Sequence, residues 1–183
     1  QVRLLMRVKQ VLKERTLMLY AQPIQNREGE GYHEILTRMR CGDSVIMPDR
    51  FIPLIVQFNL SQRFDMLVLE TLFSMLHRYP GHHFSVNLLP YTLMQNDSAG
   101  QIIALFKRYQ LSPETLTIEI TEEQAFSDAG ESMHNIQQLR DFGCAIAIDD
   151  FGTGYANYER LKRLQADIVK IDGCFVRDLE SDP

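Results

Sequence analysis

The segment Leu116-Thr117-Ile118-Glu119-Ile120-Thr121 alternates apolar and polar side chains without a break, the period-two pattern of a strand with two unlike faces. Leu116, Ile118 and Ile120 share one face, and Thr117, Glu119 and Thr121 share the other. The same division recurs in three further stretches. In Cys144 to Asp149, Ile146 and Ile148 oppose Ala145, Ala147 and Asp149; in Phe84 to Leu88, Phe84, Val86 and Leu88 oppose Ser85 and Asn87; in Asp167 to Asp172, Val169 and Ile171 oppose Lys170 and Asp172. Large apolar residues suit a surface covered by helices, whereas the second faces suit a barrel interior on which polar groups converge.

Helical patterns lie between these strands: Pro48 to Phe58, Ser61 to Tyr79, Ala99 to Tyr109, Asp128 to Phe142 closed by Gly143, and Tyr155 to Leu164. Upstream, the β-like runs Leu17 to Ile24 and Tyr32 to Met39 flank a polar, glycine-containing connection, which predicts a hairpin. Strands separated by helices of this length build right-handed βαβ units and a parallel sheet. The alternatives are an open doubly wound sheet and a closed barrel. Gly29 and Gly31 do not form the GxGxxG loop of the former. Asn87, Glu119, Asp149 and Lys170 each fall near the C-terminal end of a strand, where parallel α/β barrels carry their active sites. The expected fold is therefore an α/β TIM-type (β/α) barrel.

Composition narrows the function classes. The chain has 183 residues, 45% apolar and 23% charged, which suits one globular domain with a real core. Its 19 basic and 24 acidic residues give a formal net charge of −5, so it presents no basic field for duplex nucleic acid. Cys41, Cys144 and Cys174 are odd in number and far apart, which argues against a disulfide framework or a CxxC zinc site and for a reducing compartment. No apolar run approaches the roughly 18 residues of a membrane span. Gln1 to Arg15 reads as a leading helix or linker, with Val2, Leu5, Val8 and Leu12 at helical spacing between basic residues.

Glu34, Glu119, Asp149 and Asp150 form a candidate acidic set, because buried carboxylates without partners would cost several kcal/mol and so require cations. With Asn87 the donors are all oxygen, which suits Mg²⁺ or Mn²⁺ better than Zn²⁺. Adjacent Asp149 and Asp150 could serve two metals about 3.5–4 Å apart, an arrangement favouring phosphoester hydrolysis. Asp149-Asp150-Phe151-Gly152-Thr153-Gly154 also contains the DFG of protein kinases, but no glycine-rich loop, VAIK-type strand or HRD segment precedes it.

These residues resemble the EAL domain family, bacterial phosphodiesterases acting on cyclic di-GMP. The resemblance rests on Gln22-Pro23-Ile24, Glu34-Ile35-Leu36-Thr37-Arg38, Phe51-Ile52-Pro53-Leu54, Val86-Asn87-Leu88, Glu119-Ile120-Thr121-Glu122, Asp149 to Gly154 and Lys170-Ile171-Asp172, seven motifs in family order between residues 17 and 178. It implies a barrel whose first strand runs antiparallel to the rest, spanning 16–183. It assigns metal binding to Glu34, Asn87, Glu119, Asp149 and Asp150, and gives Lys170 the attacking water. Gln22 and Arg38 would contact the ligand, and Glu122 would fasten the loop Phe151 to Asn157, which carries the family's dimer contact. The implied reaction converts cyclic di-GMP to linear pGpG with two ions of Mg²⁺ or Mn²⁺. The other class is a catalytically silent EAL domain that acts as a cyclic di-GMP receptor or protein-interaction module.

The resemblance further implies a cytoplasmic domain, often joined to an upstream sensory or GGDEF-type domain and sometimes to an inner-membrane anchor. Departures from the family pattern are Ile35 in place of alanine, Ile55 to Asn59 where acidic residues and a glycine are usual, and Ala156 and Asn157 in place of serines. Against a barrel of about 250 residues, 183 is a shortfall. The C-terminal strands of the family, with a further glutamate and a glutamine, are expected to be missing from this chain.

Overall fold

A computed structural model describes residues 2–25, 31–125, 131–149, 168–171 and 174–177. Helix α1 (Val2–Glu14) precedes the antiparallel pair β1 (Leu17–Gln25) and β2 (Gly31–Cys41), and β3 (Ser44–Ile46) folds back on β2. Then come α2 (Pro48–Gln57), α3 (Ser61–Met75), β4 (Phe84–Asn87), α4 (Ser98–Arg108), β5 (Leu116–Thr121), the short α5 (Glu122–Ala125), α6 (Ser132–Phe142), β6 (Ala145–Asp149), β7 (Ile168–Ile171) and β8 (Cys174–Arg177). The strands form one mixed sheet in the order β1-β2-β4-β5-β6-β7-β8, with β3 on β2. From β2 to β7 neighbours are parallel, and β1 is antiparallel, as expected. The antiparallel return of β8 on β7 was not predicted.

Period-two alternation sorts the sheet as the sequence indicated. Ile35, Met39, Phe84, Val86, Leu116, Ile118, Ile120, Ile146 and Ile148 are buried in one continuous core under the helices. There they meet Phe51, Phe64, Leu69, Phe73, Ile102, Phe106, Ile136 and Leu139, and the Phe73 and Phe106 rings lie 4.7 Å apart. Each such side chain removed from water contributes about 1.5–3 kcal/mol. Helix α6 ends where Gly143 takes φ 117°, which lets Cys144 N–H donate to Leu139 O at 3.0 Å and turns the chain into β6. Burial pushes the Cys144 thiol up to about 12, so it behaves as a small apolar residue.

Some expected boundaries differ. The apolar stripe of α1 enters the core at Val8, Val11 and Leu12, while Val2 is 74% exposed. The helix predicted from Ser61 to Tyr79 is α3, followed by a 3₁₀ turn at Leu76–Arg78. The strand read over Phe84 to Leu88 stops at Asn87, and two residues on the Leu89 N–H turns out of the sheet to a side-chain acceptor, Asp65 Oδ2, at 2.8 Å. The helix Tyr155 to Leu164 lies outside the described residues.

Candidate active site

The inner face of the sheet is built by register. Glu34 on β2 pairs with Ser85 on β4, Asn87 at the end of β4 pairs with Glu119 on β5, and Thr121 pairs with Asp149 on β6. Laterally paired residues of parallel strands point to the same side, so Glu34, Ser85, Asn87 and Glu119 lie on one face of β2, β4 and β5. Asn87 Nδ2 donates to Glu34 Oε1 at 3.2 Å, bridging residues 53 positions apart in sequence. Glu119 is 1% exposed, and its β6 neighbour is the small, fully buried Ala147.

Ile35 points the other way, into the core, so its extra bulk is absorbed beneath the helices. Ile35→Ala, which spells the family's usual motif, is expected to lower unfolding free energy by about 2–4 kcal/mol. Activity should stay within roughly threefold of the parent, because the Ile35 side chain lies in the core, on the opposite face of β2 from Glu34. Denaturant unfolding and steady-state kinetics check the two halves separately.

Gln22 pairs with Glu34 across β1 and β2, and Met18 pairs with Arg38, which places Gln22 and Arg38 on the same face as Glu34. The Arg38 guanidinium lies 5.7 Å from the centre of the Tyr20 ring, within cation–π range, and its Nη1 donates to Thr37 O at 2.7 Å. Tyr20, half-exposed between Met18 and Gln22, was not anticipated. Glu122 is buried at the start of α5. Ile148 pairs with Val169, and Asp149 and Lys170 are the next residues of β6 and β7. Asp150 and the loop Phe151 to Asn157 lie outside the described residues. Among the described residues no three His, Cys, Asp or Glu side chains gather into a metal-sized group; what they contribute is Glu34, Asn87 and Glu119 on successive strands.

Sequence reasoning also missed a set of buried polar residues around the segment that follows Asn87. Asp65 of α3, 1% exposed, accepts from Leu89 N–H at 2.8 Å and from the Thr92 hydroxyl, both on Oδ2. Gln124 of α5 donates to Leu89 O at 2.7 Å and Pro90 O at 3.0 Å in the amide orientation its surroundings require. Asn135 of α6 donates to Leu93 O at 2.7 Å and Gln95 O at 2.9 Å. The available signal for Asp65 was its place at helical spacing with Leu69 and Leu72, an acidic residue on an otherwise apolar stripe.

Desolvation raises the Asp65 carboxyl from 3.8 to about 7, against the two hydrogen bonds that favour its ionised form. Between those values the folded chain holds a proton that the unfolded chain has released, so stability falls as pH rises from about 4 to about 7 and levels off above. The loss attributable to this group is on the order of a few kcal/mol. Asp65→Asn keeps an acceptor for Leu89 and Thr92 but cannot ionise. Its stability relative to the parent is expected to improve steadily between pH 4 and pH 8 in denaturant unfolding. A constant difference across that range would refute the assignment.

Fold and site together define an α/β domain of the TIM-barrel type whose inner face carries carboxylate and amide groups from successive strands. The sequence profile of the EAL domain matches residues 6–183, and the chain belongs to the EAL domain family. It is 61% identical over 183 residues to a probable cyclic di-GMP phosphodiesterase, PdeA, of Escherichia coli (strain K12), covering 98% of this chain and 25% of that protein. It is 41% identical over 186 residues to the cyclic di-GMP phosphodiesterase PdeF of the same organism, covering 99% of this chain and again 25% of the relative. The chain thus spans about a quarter of the length of these curated relatives. Among solved structures, the PaMucR phosphodiesterase in complex with c-di-GMP superposes with a TM-score of 0.82 at 31% identity, over 93% of this chain and 72% of that one.

Proposed function

We propose that the protein containing this chain hydrolyses one phosphodiester bond of cyclic di-GMP, giving linear pGpG. The observation that carries this reading is the Asn87–Glu34 contact with buried Glu119 on the adjacent strand, in a chain of this family. The donor set fits a hard divalent cation. Glu119 is a buried carboxylate paired in register with Asn87, which in turn meets the Glu34 carboxylate, and the oxygen atoms of these three side chains are the donor type such a cation takes. Glu34, Asn87, Glu119, Asp149 and Asp150 would hold two ions of Mg²⁺ or Mn²⁺. When bound, such ions lower the pKa of water and neutralise charge on the phosphoryl group.

The chain's own residues do the rest. Lys170, at the end of β7, would orient the attacking water and offset charge building up on the phosphorus oxygens. Arg38, with a planar fork of donors held against Tyr20, suits a phosphate oxygen of the ligand. Gln22 would supply an amide to the ligand from the opposing strand, and Glu122 would fasten the Phe151 to Asn157 loop. We read 1–15 as an entry helix or linker and 16–183 as the EAL-type phosphodiesterase domain. We also read the loop and helix after Asp150 as a homodimer contact and an upstream sensory or GGDEF-type domain as the source of regulation. No helix among the described residues is long and apolar enough to cross a membrane.

The test is turnover of cyclic di-GMP by the full-length protein with Mg²⁺ or Mn²⁺, with pGpG resolved chromatographically. Tight binding with no turnover would overturn the enzyme reading and place the protein among cyclic di-GMP receptors.

A further inference from the structure

Asn87 is the last residue of β4, so the position of its side chain depends on how the next few residues are held. Leu88 N–H still donates to Glu119 O at 2.9 Å. Beyond it the backbone leaves the sheet and is taken over by side chains. Asp65 Oδ2 receives Leu89 N–H and the Thr92 hydroxyl, Gln124 donates to the carbonyls of Leu89 and Pro90, and Asn135 donates to those of Leu93 and Gln95. Asp65, Thr92, Gln124 and Asn135 are all buried.

Burying several polar side chains around one short segment is costly unless each is satisfied, and apolar packing would hold an ordinary connection as well. What the polar clamp adds is directional restraint at a point two residues from Asn87. A displacement of about 1 Å at a reacting site can cost roughly 100-fold, and the Asn87–Glu34 contact stands at 3.2 Å. Gln124 also donates its own N–H to Thr121 Oγ1 at 3.1 Å. The clamp therefore joins the end of β4 to the end of β5, where Thr121 adjoins Glu122.

We propose that Asp65, through Leu89 and Thr92, is a positioning residue that sets the Asn87 side chain against Glu34 for cation binding. It touches neither substrate nor cation and acts only through the segment it restrains. The inference rests on the functional reading above, and its test is chosen so that the two can fail separately.

In the full-length protein, Asp65→Ala is expected to weaken Mn²⁺ binding, measured by calorimetry without nucleotide, by about 10–100-fold. The value of kcat should fall by a similar factor with KM little changed. Asp65→Asn, which still accepts from Leu89 and Thr92, should restore both to within roughly threefold. Thr92→Val, a milder change, removes one donor and is expected to give an intermediate loss of Mn²⁺ affinity, so it serves where Asp65→Ala does not fold. A folded Asp65→Ala or Thr92→Val protein with unaltered Mn²⁺ affinity overturns the proposal, as does an Asn variant no better than Ala. If the parent protein binds Mn²⁺ but hydrolyses nothing, the phosphodiesterase reading falls while the affinities still decide the role of Asp65.

Discussion

Glu34→Gln is expected to lower kcat/KM for cyclic di-GMP by about 10³-fold in the full-length protein, with little change in thermal stability. The substitution is nearly isosteric, and the glutamine carbonyl can still accept from Asn87 Nδ2, the contact that stands at 3.2 Å in the parent. What disappears is a unit of negative charge. If Glu34 holds a divalent cation, the lost stabilisation is several kcal/mol at the transition state, and each 1.36 kcal/mol is about tenfold in rate. Steady-state kinetics across a Mg²⁺ and Mn²⁺ series separates this from loss of substrate binding, since a lost cation partner raises the metal concentration needed for half-maximal rate. Parent-like turnover by the variant would remove Glu34 from the ligand set and with it the main support for the reaction.

The second large effect is expected at Glu119, where activity and ligand-induced stabilisation should fall together. Glu119 is buried to 1% exposure beside Asn87 and Ala147, on the inner face of β5. A cation that binds only the folded protein stabilises it by RT ln(1 + [L]/Kd), about 2.7 kcal/mol when the cation is present at 100 times its Kd. The parent's melting temperature should therefore rise on addition of Mn²⁺. Glu119→Gln removes the buried charge while keeping volume and hydrogen-bonding capacity, and is expected to lose most of that rise together with about 10²–10³-fold in kcat. Differential scanning fluorimetry with and without Mn²⁺ reads the first effect and a hydrolysis assay the second. A variant that keeps the whole Mn²⁺-induced shift would mean that Glu119 faces something other than a cation.

The site was legible to different depths in different places. Asn87 and Glu119 could be proposed because each takes a polar position of an alternating strand, and alternation fixes the face, whereas Glu34, on a run that does not alternate cleanly, was proposed as a further carboxylate of the acidic set. Their neighbour relations follow from strand order and register, in which Glu34 aligns with Ser85 and Asn87 with Glu119. Asp65 and Gln124 escaped notice because each sits on a helix, away from the strand positions where polar residues were sought. An acidic residue on a helix carries no mark of the backbone amide it will meet 24 residues later. The antiparallel β8, pairing Cys174 with Ile171 and Arg177 with Ile168, was missed because Cys174, Phe175 and Val176 are apolar in a row and show no alternation.

The sequence by itself determined the two faces of β4, β5, β6 and β7, the antiparallel start at β1 and β2, and the residue types available for chemistry. These are local properties, set by a period of two or by a turn, and they survive without knowledge of the neighbours. Only the tertiary structure decided that the amide of Asn87 meets the carboxylate of Glu34, that Ile35 is absorbed under the helices, and that Asp65 captures the backbone beyond β4. Each of those depends on which segments distant in the chain are brought within a few ångströms of each other. That choice is made by the packing of the whole core, where many small burial energies act together.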